Sequence, residues 1–253
     1  MKREYSYFPI FGIIIINAII AVILNEISEN LEFIQLIVGI ISNFLIFSGL
    51  LHTRTGGIGD YFSNIKRINA NVIFVNIVSG IISALFLMLI ISLSAVSYIP
   101  DDIYFEKSSS NIGIITALVI GTIIMELIFM YTNLVLADER NEELSFGASL
   151  KLVIKTGFNL TLETVKIFLK IFFIPVIFLI IVGLMTVTKS VGVLPTIAVI
   201  GLSVSIIYLV FAIPTYMARI SDAYIDYTGH NIDGKLEDGE EQDEEERDED
   251  PED

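Results

Sequence analysis

Six long runs of apolar residues, separated by polar connections, make up most of the chain. They cover approximately 8–24, 33–51, 70–98, 112–136, 166–187 and 192–217. A helix needs about 20 apolar residues to cross a bilayer core of about 30 Å, and it satisfies its own backbone groups inside lipid. The pattern therefore predicts an all-α, polytopic integral membrane protein with six transmembrane helices, formed by residues 1–228.

The first apolar run follows Met1-Lys2-Arg3, so a secretory signal peptide is one interpretation of it. The run from Phe8 to Leu24 is longer than the usual apolar part of a signal peptide. No small-x-small cleavage motif precedes Asn25 and Glu26. We therefore expect a first helix that is retained.

The basic residues predict the orientation, because Lys and Arg near helix ends favour the cytoplasmic side. With the N-terminus inside, 13 of the 15 basic residues fall in inner segments, and only Lys107 and Lys189 fall in outer loops. This distribution favours a protein of the plasma membrane with both termini in the cytoplasm.

Two of the predicted inner connections, 58–68 and 146–158, have apolar residues at helical spacing with basic residues between them. This pattern is typical of amphipathic helices that lie in the inner membrane interface, with lysines near anionic headgroups. At an offset of 88 residues, pairs such as Gly59/Gly147 and Asn71/Asn159 coincide. The sequence thus predicts two interfacial helices and a weak internal repeat, although cytoplasmic helical hairpins in general share these features.

Composition narrows the class of protein further. Hydrophobic residues make up 54% of the chain and charged residues only 18%, which excludes an ordinary soluble enzyme. The chain has no cysteine, so thiolate catalysis and cysteine-ligated metals are excluded as well. Of the net charge of −15, a charge of −12 lies between Asp233 and Asp253. Residues 229–253 are therefore predicted to form a disordered polyacidic tail.

Glu126 is the clearest candidate for a functional residue, since an ionisable side chain inside lipid is costly. It lies about ten residues from the inner end of the fourth span, hence at about 15 Å depth, which is the midplane of the membrane. A bare carboxylate there would cost about 2.5–3.5 kcal/mol. It must be protonated, paired or in contact with water.

Other polar side chains fall at a similar predicted depth: Asn17, Asn43, Ser205 and Tyr208. Pro175, near the centre of the fifth span, should free a backbone carbonyl around Ile171. Together with Glu126 these residues are a candidate midplane polar site, where transporters bind substrates or ions. The alternative is that they only form hydrogen bonds between helices.

Lys170 lies about one turn inside the fifth span, at i+4 from Lys166. Its long side chain can reach back to the interface, where the charge is solvated. The alternative is that Lys170 is a counter-charge to Glu126, which would need a bridging water or asparagine.

A family resemblance is carried by residues 136–140 (Leu-Ala-Asp-Glu-Arg) and 144–151 (Leu-Ser-Phe-Gly-Ala-Ser-Leu-Lys), which lead into a span. This pattern resembles the inner loop of uncharacterised six-helix prokaryotic membrane proteins. Among them are archaeal domains of unknown function and the membrane domain attached to some glycerophosphodiesterases. The resemblance covers 133–187 and implies a helical membrane module without a catalytic motif.

The motifs of intramembrane and soluble hydrolases are missing. There is one deep acid rather than two, no His-Glu-x-x-His helix and no Gly-x-Ser-x-Gly elbow. We therefore expect no catalytic residue, no cofactor, no metal site and no binding of nucleic acid.

Two functions stay open. The first is a non-enzymatic membrane scaffold or accessory subunit that meets a protein partner at the cytoplasmic face through 58–68, 146–158 and the acidic tail. The second is a small permease or channel subunit that uses Glu126, Asn17 and Asn43.

Overall fold

The computed structural model describes residues 3–28, 31–96, 110–188 and 193–229. Within these ranges the chain is all-helical, without a β-strand. The helices are α1 (Tyr7–Ile27), α2 (Glu32–His52), α3 (Ile58–Ser63), α4 (Ala70–Val96), α5 (Ser110–Phe129), α6 (Thr132–Ala137), α7 (Phe146–Thr188) and α8 (Val193–Thr228). Short 3₁₀ turns follow α3 at Asn64–Arg67 and α6 at Glu139–Asn141.

Five stretches of the described residues are long and apolar enough to cross a membrane. They are Tyr7–Ile27, Glu32–His52, Ala70–Ser92, Ile120–Ala137 and Ser203–Thr228. The predicted all-helical class is therefore confirmed, with five helices that are candidates for spanning a membrane.

The predicted fourth span is not one continuous helix. It ends as α5 at Phe129, a turn follows at Met130 and Tyr131, and α6 continues to Ala137. Glu126 thus lies three residues before a helix end. The depth of about 15 Å assumed an uninterrupted helix, and the structure does not have one.

The two predicted interfacial helices also differ from expectation. Residues 146–158 are not a separate short helix, because α7 runs for 43 residues from Phe146 to Thr188 without a break. Residues 58–68 divide into α3 and a 3₁₀ turn. The predicted repeat is not preserved in packing either, since Val153 is fully buried while its counterpart Ile65 is exposed.

The buried core lies at one end of the bundle. It contains the start of α1 (Ile10 and Ile13), the end of α2 from Phe44 to Leu51, and the last turns of α8. Toward the other end, α1 and α4 expose large apolar side chains such as Ile23 and Met88. The helices therefore converge where the N-terminus lies, and their remaining lengths present apolar surface.

Two glycines allow close contacts that hold this end together. Gly49 of α2 lies against the ring of Tyr61 in α3, and Gly157 of α7 lies against the backbone of Ile128 in α5. A Cβ atom at either position would overlap the neighbour. Gly157 is the more constrained of the two, because its neighbour is main chain and cannot rotate away.

Of the predicted tail, 229–253, all residues but Gly229 lie outside the described residues. Gly229, which follows α8, has a positive φ of 63°, as is common just after a helix end.

We predict that Gly157→Ala lowers the free energy of unfolding by about 1–3 kcal/mol, because the new methyl group meets the Ile128 backbone. Gly80→Ala is the matched control, since Gly80 is also mid-helix but has no atom within 4 Å of an added Cβ. That control should be neutral or stabilising by up to about 1 kcal/mol. Unfolding midpoints in detergent, followed by circular dichroism, measure both. Equal effects of the two substitutions would contradict the close α5–α7 contact.

Candidate functional site

The structure does not gather the predicted midplane residues into one internal site. Glu126 and Asn43 are exposed on the surface of the bundle, and Asn17 is half-buried. In the described part of the chain no hydrogen bond or ion pair joins any two of them. Moreover, α5 packs mainly on α4 and α7, whereas α1 packs on α2, α3 and α8.

Ser205 and Tyr208 have structural partners instead. Ser205 donates to the Gly201 carbonyl of its own helix at 2.8 Å. The Tyr208 hydroxyl donates to the Ile171 carbonyl of α7 at 2.7 Å. Pro175 cannot donate to that carbonyl, so the predicted free acceptor at Ile171 exists and Tyr208 satisfies it.

The same arrangement occurs a second time, where sequence reasoning missed it. Pro214 in α8 leaves the Val210 carbonyl without its helical donor. The Tyr7 hydroxyl of α1 donates to this carbonyl at 2.5 Å. Pro175 and Pro214 are thus each compensated by a tyrosine from another helix.

Hydrogen bonds between helices are made by residues other than Asn17 and Asn43. Asn76 of α4 donates to Asn133 of α6 at 2.9 Å. The hydroxyls of Tyr131 and Thr164 lie 2.7 Å apart, between the α5–α6 turn and α7.

An arginine–aspartate cluster, formed by Arg3, Arg54, Arg219, Asp222 and Asp226, occupies the converging end of the bundle. Arg54 is only 4% exposed and forms an ion pair with Asp222, which is 5% exposed. Asp222 also accepts from Arg219 at 2.6 Å, and Asp226 pairs with Arg3 at 2.7 Å. Two aspartates are therefore shared among three arginines.

All five N–H donors of Arg54 are used. Nε donates to the Glu4 carbonyl at 2.9 Å, and Nη1 donates to the Leu50 carbonyl at 3.3 Å and to Ser221 at 3.2 Å. Nη2 donates to Asp222 and to the Ala218 carbonyl at 3.2 Å. One guanidinium group therefore ties the N-terminal segment, α2 and α8 together.

The loop that carries Arg54 is fixed from both sides. The Tyr61 hydroxyl donates to the Arg54 carbonyl at 3.2 Å, and the Ser6 backbone N–H donates to the same carbonyl at 2.9 Å. The Asp60 carboxylate accepts from the Gly57 N–H at 2.7 Å and so caps α3, which positions Tyr61.

A second polar group surrounds Asp138, which is 1% exposed and follows α6. Its carboxylate accepts from Arg140 at 2.6 Å and from the Tyr224 hydroxyl of α8 at 2.9 Å. Nearby, Arg67 and Glu139 form an ion pair of 2.6 Å. This group links α8 to the connection between α6 and α7.

The electrostatics of these groups follow from burial. Burial lowers the pKa of Arg54, and the adjacent Asp222 carboxylate partly opposes this shift. Burial raises the pKa of Tyr61, while the Arg54 charge acts in the opposite direction. The hydrogen bond to Asp138 raises the pKa of Arg140. Each of these groups is held in place by hydrogen bonds to other parts of the chain, which suits structural tethering.

A cleft of about 990 Å³ lies between α7 and α8. Its charged lining residues are Glu163, Lys166, Lys170, Arg219, Asp222 and Asp226. Lys170 is exposed in this cleft, and Glu126 is not among the lining residues. No direct ion pair joins Lys170 and Glu126 among the described residues, and the bridged pairing given as the alternative to snorkelling stays a prediction.

Sequence reasoning missed the arginine–aspartate cluster. Arg54 entered the sequence analysis only as one of the inner basic residues, and Asp222 and Tyr224 were not singled out. The side chains of Asp222 and Tyr224 are both buried inside the protein. Among the described residues, no group of three or more His, Asp or Glu side chains is arranged to hold a metal ion.

Comparisons with known proteins add no assignment: no protein-family model, no curated protein and no solved structure matches this chain. The resemblance over 133–187 therefore stays a prediction.

We predict that Asp222→Asn lowers the free energy of unfolding by about 3–5 kcal/mol, because it leaves the buried Arg54 charge without its counter-ion. Glu163→Gln is the matched control, since Glu163 pairs with Lys166 at 3.1 Å on an exposed surface. Such a pair contributes about 0–1 kcal/mol. Thermal or denaturant unfolding in detergent compares the two variants. A loss of similar size in both would show that the Arg54–Asp222 pair is not a main tether of the fold.

Proposed function

We propose that this protein is a non-enzymatic membrane scaffold or accessory subunit that binds a transmembrane partner through the face of α5 that carries Glu126. The proposal includes six spans, the one beyond the five apolar stretches being 166–187 within α7. It also includes a plasma-membrane location with both termini in the cytoplasm, which the distribution of basic residues supports.

The exposure of Glu126 carries the proposal. Ile123, one turn earlier on the same face, is an exposed apolar side chain, so this face of α5 has the character of a lipid-facing surface. A carboxyl group on such a surface is costly unless it is protonated or paired. In the described part of the chain Glu126 has no such partner. A donor from another transmembrane helix, a hydroxyl, an amide or a cation, would satisfy it.

The interior supports the same function. Its polar groups bond to one another, as Asn76 does to Asn133 and Tyr131 to Thr164. These bonds hold neighbouring helices together, which is what a scaffold requires.

Exposed apolar side chains beside lysines support the proposed partner contacts at the cytoplasmic face. In 58–68, Phe62 and Ile65 are exposed beside Lys66. In 146–158, Phe146, Ile154 and Phe158 are exposed beside two lysines. Such surfaces suit the headgroup region of a membrane or a protein bound there. The acidic tail is proposed as a further contact for a basic partner.

The competing proposal, a permease or channel subunit using Glu126, Asn17 and Asn43, has less support. Glu126 and Asn43 face away from the protein interior, and no described hydrogen bond brings the three residues together.

The natural absence of cysteine allows a direct test. A single cysteine at Ile123, one turn before Glu126, can carry a photo-crosslinker in native membranes, and Ile206 of α8 provides an equally exposed control position. We predict a covalent adduct with one partner protein from position 123 and none from position 206. Glu126→Ala should reduce its yield about 3- to 18-fold, as expected for an interhelical hydrogen bond of roughly 0.6–1.7 kcal/mol.

Glu26→Gln, an exposed carboxylate at the end of α1, is the matched control and should leave the adduct unchanged. An unchanged yield with Glu126→Ala would contradict the proposal. Loss of a proton- or ion-coupled flux in reconstituted vesicles with Glu126→Gln would favour the permease instead.

A further inference from the structure

The cleft between α7 and α8 is bounded at both ends by hydrogen bonds between the two helices. At one end the Tyr208 hydroxyl donates to Ile171. At the other end Asn159 donates to the Tyr227 hydroxyl at 2.7 Å. Along α7 the lining runs from Leu160 to Ile171, a length of about 16 Å. The helices thus separate between two fixed points and leave a space of about 990 Å³.

This space is polar toward one end and apolar toward the other. Ile171, Tyr208, Phe211 and Ala212 line the end near the Tyr208 bond, whereas Arg219, Asp222 and Asp226 line the α8 side of the other end. Leu169, Ile207 and Phe211 are exposed apolar side chains beside the apolar end. The cleft is therefore shaped for an amphiphile whose hydrocarbon part continues into surrounding lipid.

The charged residues that line the cleft differ in whether they have a partner of opposite charge. Glu163 is paired with Lys166 at 3.1 Å. The two aspartates are shared among Arg3, Arg54 and Arg219. Lys170 has no carboxylate partner in the described part of the chain. Three cations and three carboxylates line the cleft, and among the described residues Arg3 and Arg54, which do not line it, also pair with the two aspartates. Lys170 is therefore the lining cation that can accept an anionic ligand, and it lies where the polar and apolar parts meet.

We propose that this cleft binds the headgroup of an anionic phospholipid, with the phosphate at Lys170 and the acyl chains along Ile171 and Phe211. A phosphate oxygen accepts hydrogen bonds from an ammonium group, and the attraction is stronger in a partly desolvated cleft than in water. The exposed lysines of 146–158 attract anionic lipids without selecting a position. The cleft, in contrast, defines one position, because hydrogen bonds between α7 and α8 close both of its ends and the Lys170 charge lies between them.

The natural absence of tryptophan provides the test. Phe211→Trp places a single reporter in the cleft, and Phe74→Trp, on the exposed surface of α4, reports lipid at an ordinary position. Each variant of the full chain is reconstituted in vesicles that contain brominated phosphatidylglycerol or brominated phosphatidylcholine. The ratio of the two quenching efficiencies gives the preference for the anionic lipid.

We expect the Trp at position 211 to prefer phosphatidylglycerol about 5- to 10-fold, and the Trp at position 74 to show a ratio near 1. Lys170→Gln, added to Phe211→Trp, should bring the ratio close to 1. Lys155→Gln, the matched control on an exposed part of α7 outside the cleft, should leave it unchanged.

Three results would overturn the assignment. The first is an unchanged preference after Lys170→Gln in a folded protein, with folding checked by the helical circular dichroism signal. The second is displacement of the lipid by free inorganic phosphate, which would identify a site for a soluble anion. The third is a preference that arises only after removal of residues 230–253, which would identify the acidic tail as the occupant in the full chain.

Discussion

The burial of Arg54 beside Asp222 is the constraint on which the rest of the structure depends. A guanidinium group taken out of water loses a large hydration energy, and the chain recovers it only if every N–H group finds an acceptor. The acceptors come from Glu4, Leu50, Ala218, Ser221 and Asp222, which lie on three separate parts of the chain. These parts must therefore meet at one place and in one orientation. Apolar packing among similar leucines and isoleucines could not impose such a requirement, because it tolerates many alternative registers.

This constraint explains why the two ends of the bundle differ. Near Arg54 the helices are held by directional bonds and by close contacts at Gly49 and Gly157, and side chains there are buried. Farther along α1 and α4 the surfaces are apolar and exposed, so they depend on lipid or on other proteins for cover. In a membrane there is no hydrophobic force between helices, since lipid tails are as apolar as the helices themselves. Polar bonds and tight backbone contacts at one end are then the natural way to define a bundle.

A feature of this fold could be predicted from the sequence only where residues close together in the chain determine it. The apolar runs of α1, α2 and α4 are local, and their helices follow the predicted spans closely. The free carbonyl at Ile171 is also local, because a proline four residues later removes its donor. The continuity of α7 was missed because 146–158 and 166–187 were predicted as separate helices, although residues 159–165 between them contain no proline or glycine that would end a helix. The pairing of Arg54 with Asp222 joins residues 168 positions apart, and nothing in a single sequence links them. Whether Glu126 faces inward or outward likewise depends on which side of α5 meets its neighbours.

The short segment before α1 has a practical consequence for handling the protein. Tyr5 bonds to Thr215, Tyr7 bonds to Val210 and Arg3 pairs with Asp226, so these residues lie along α8 like a strap. A purification handle or fluorescent protein fused immediately ahead of Arg3 would strain these contacts between the N-terminal segment and α8, and so disturb α8. Engineered insertions are better accommodated elsewhere, for example beside the exposed residues Glu142 and Glu143 between α6 and α7.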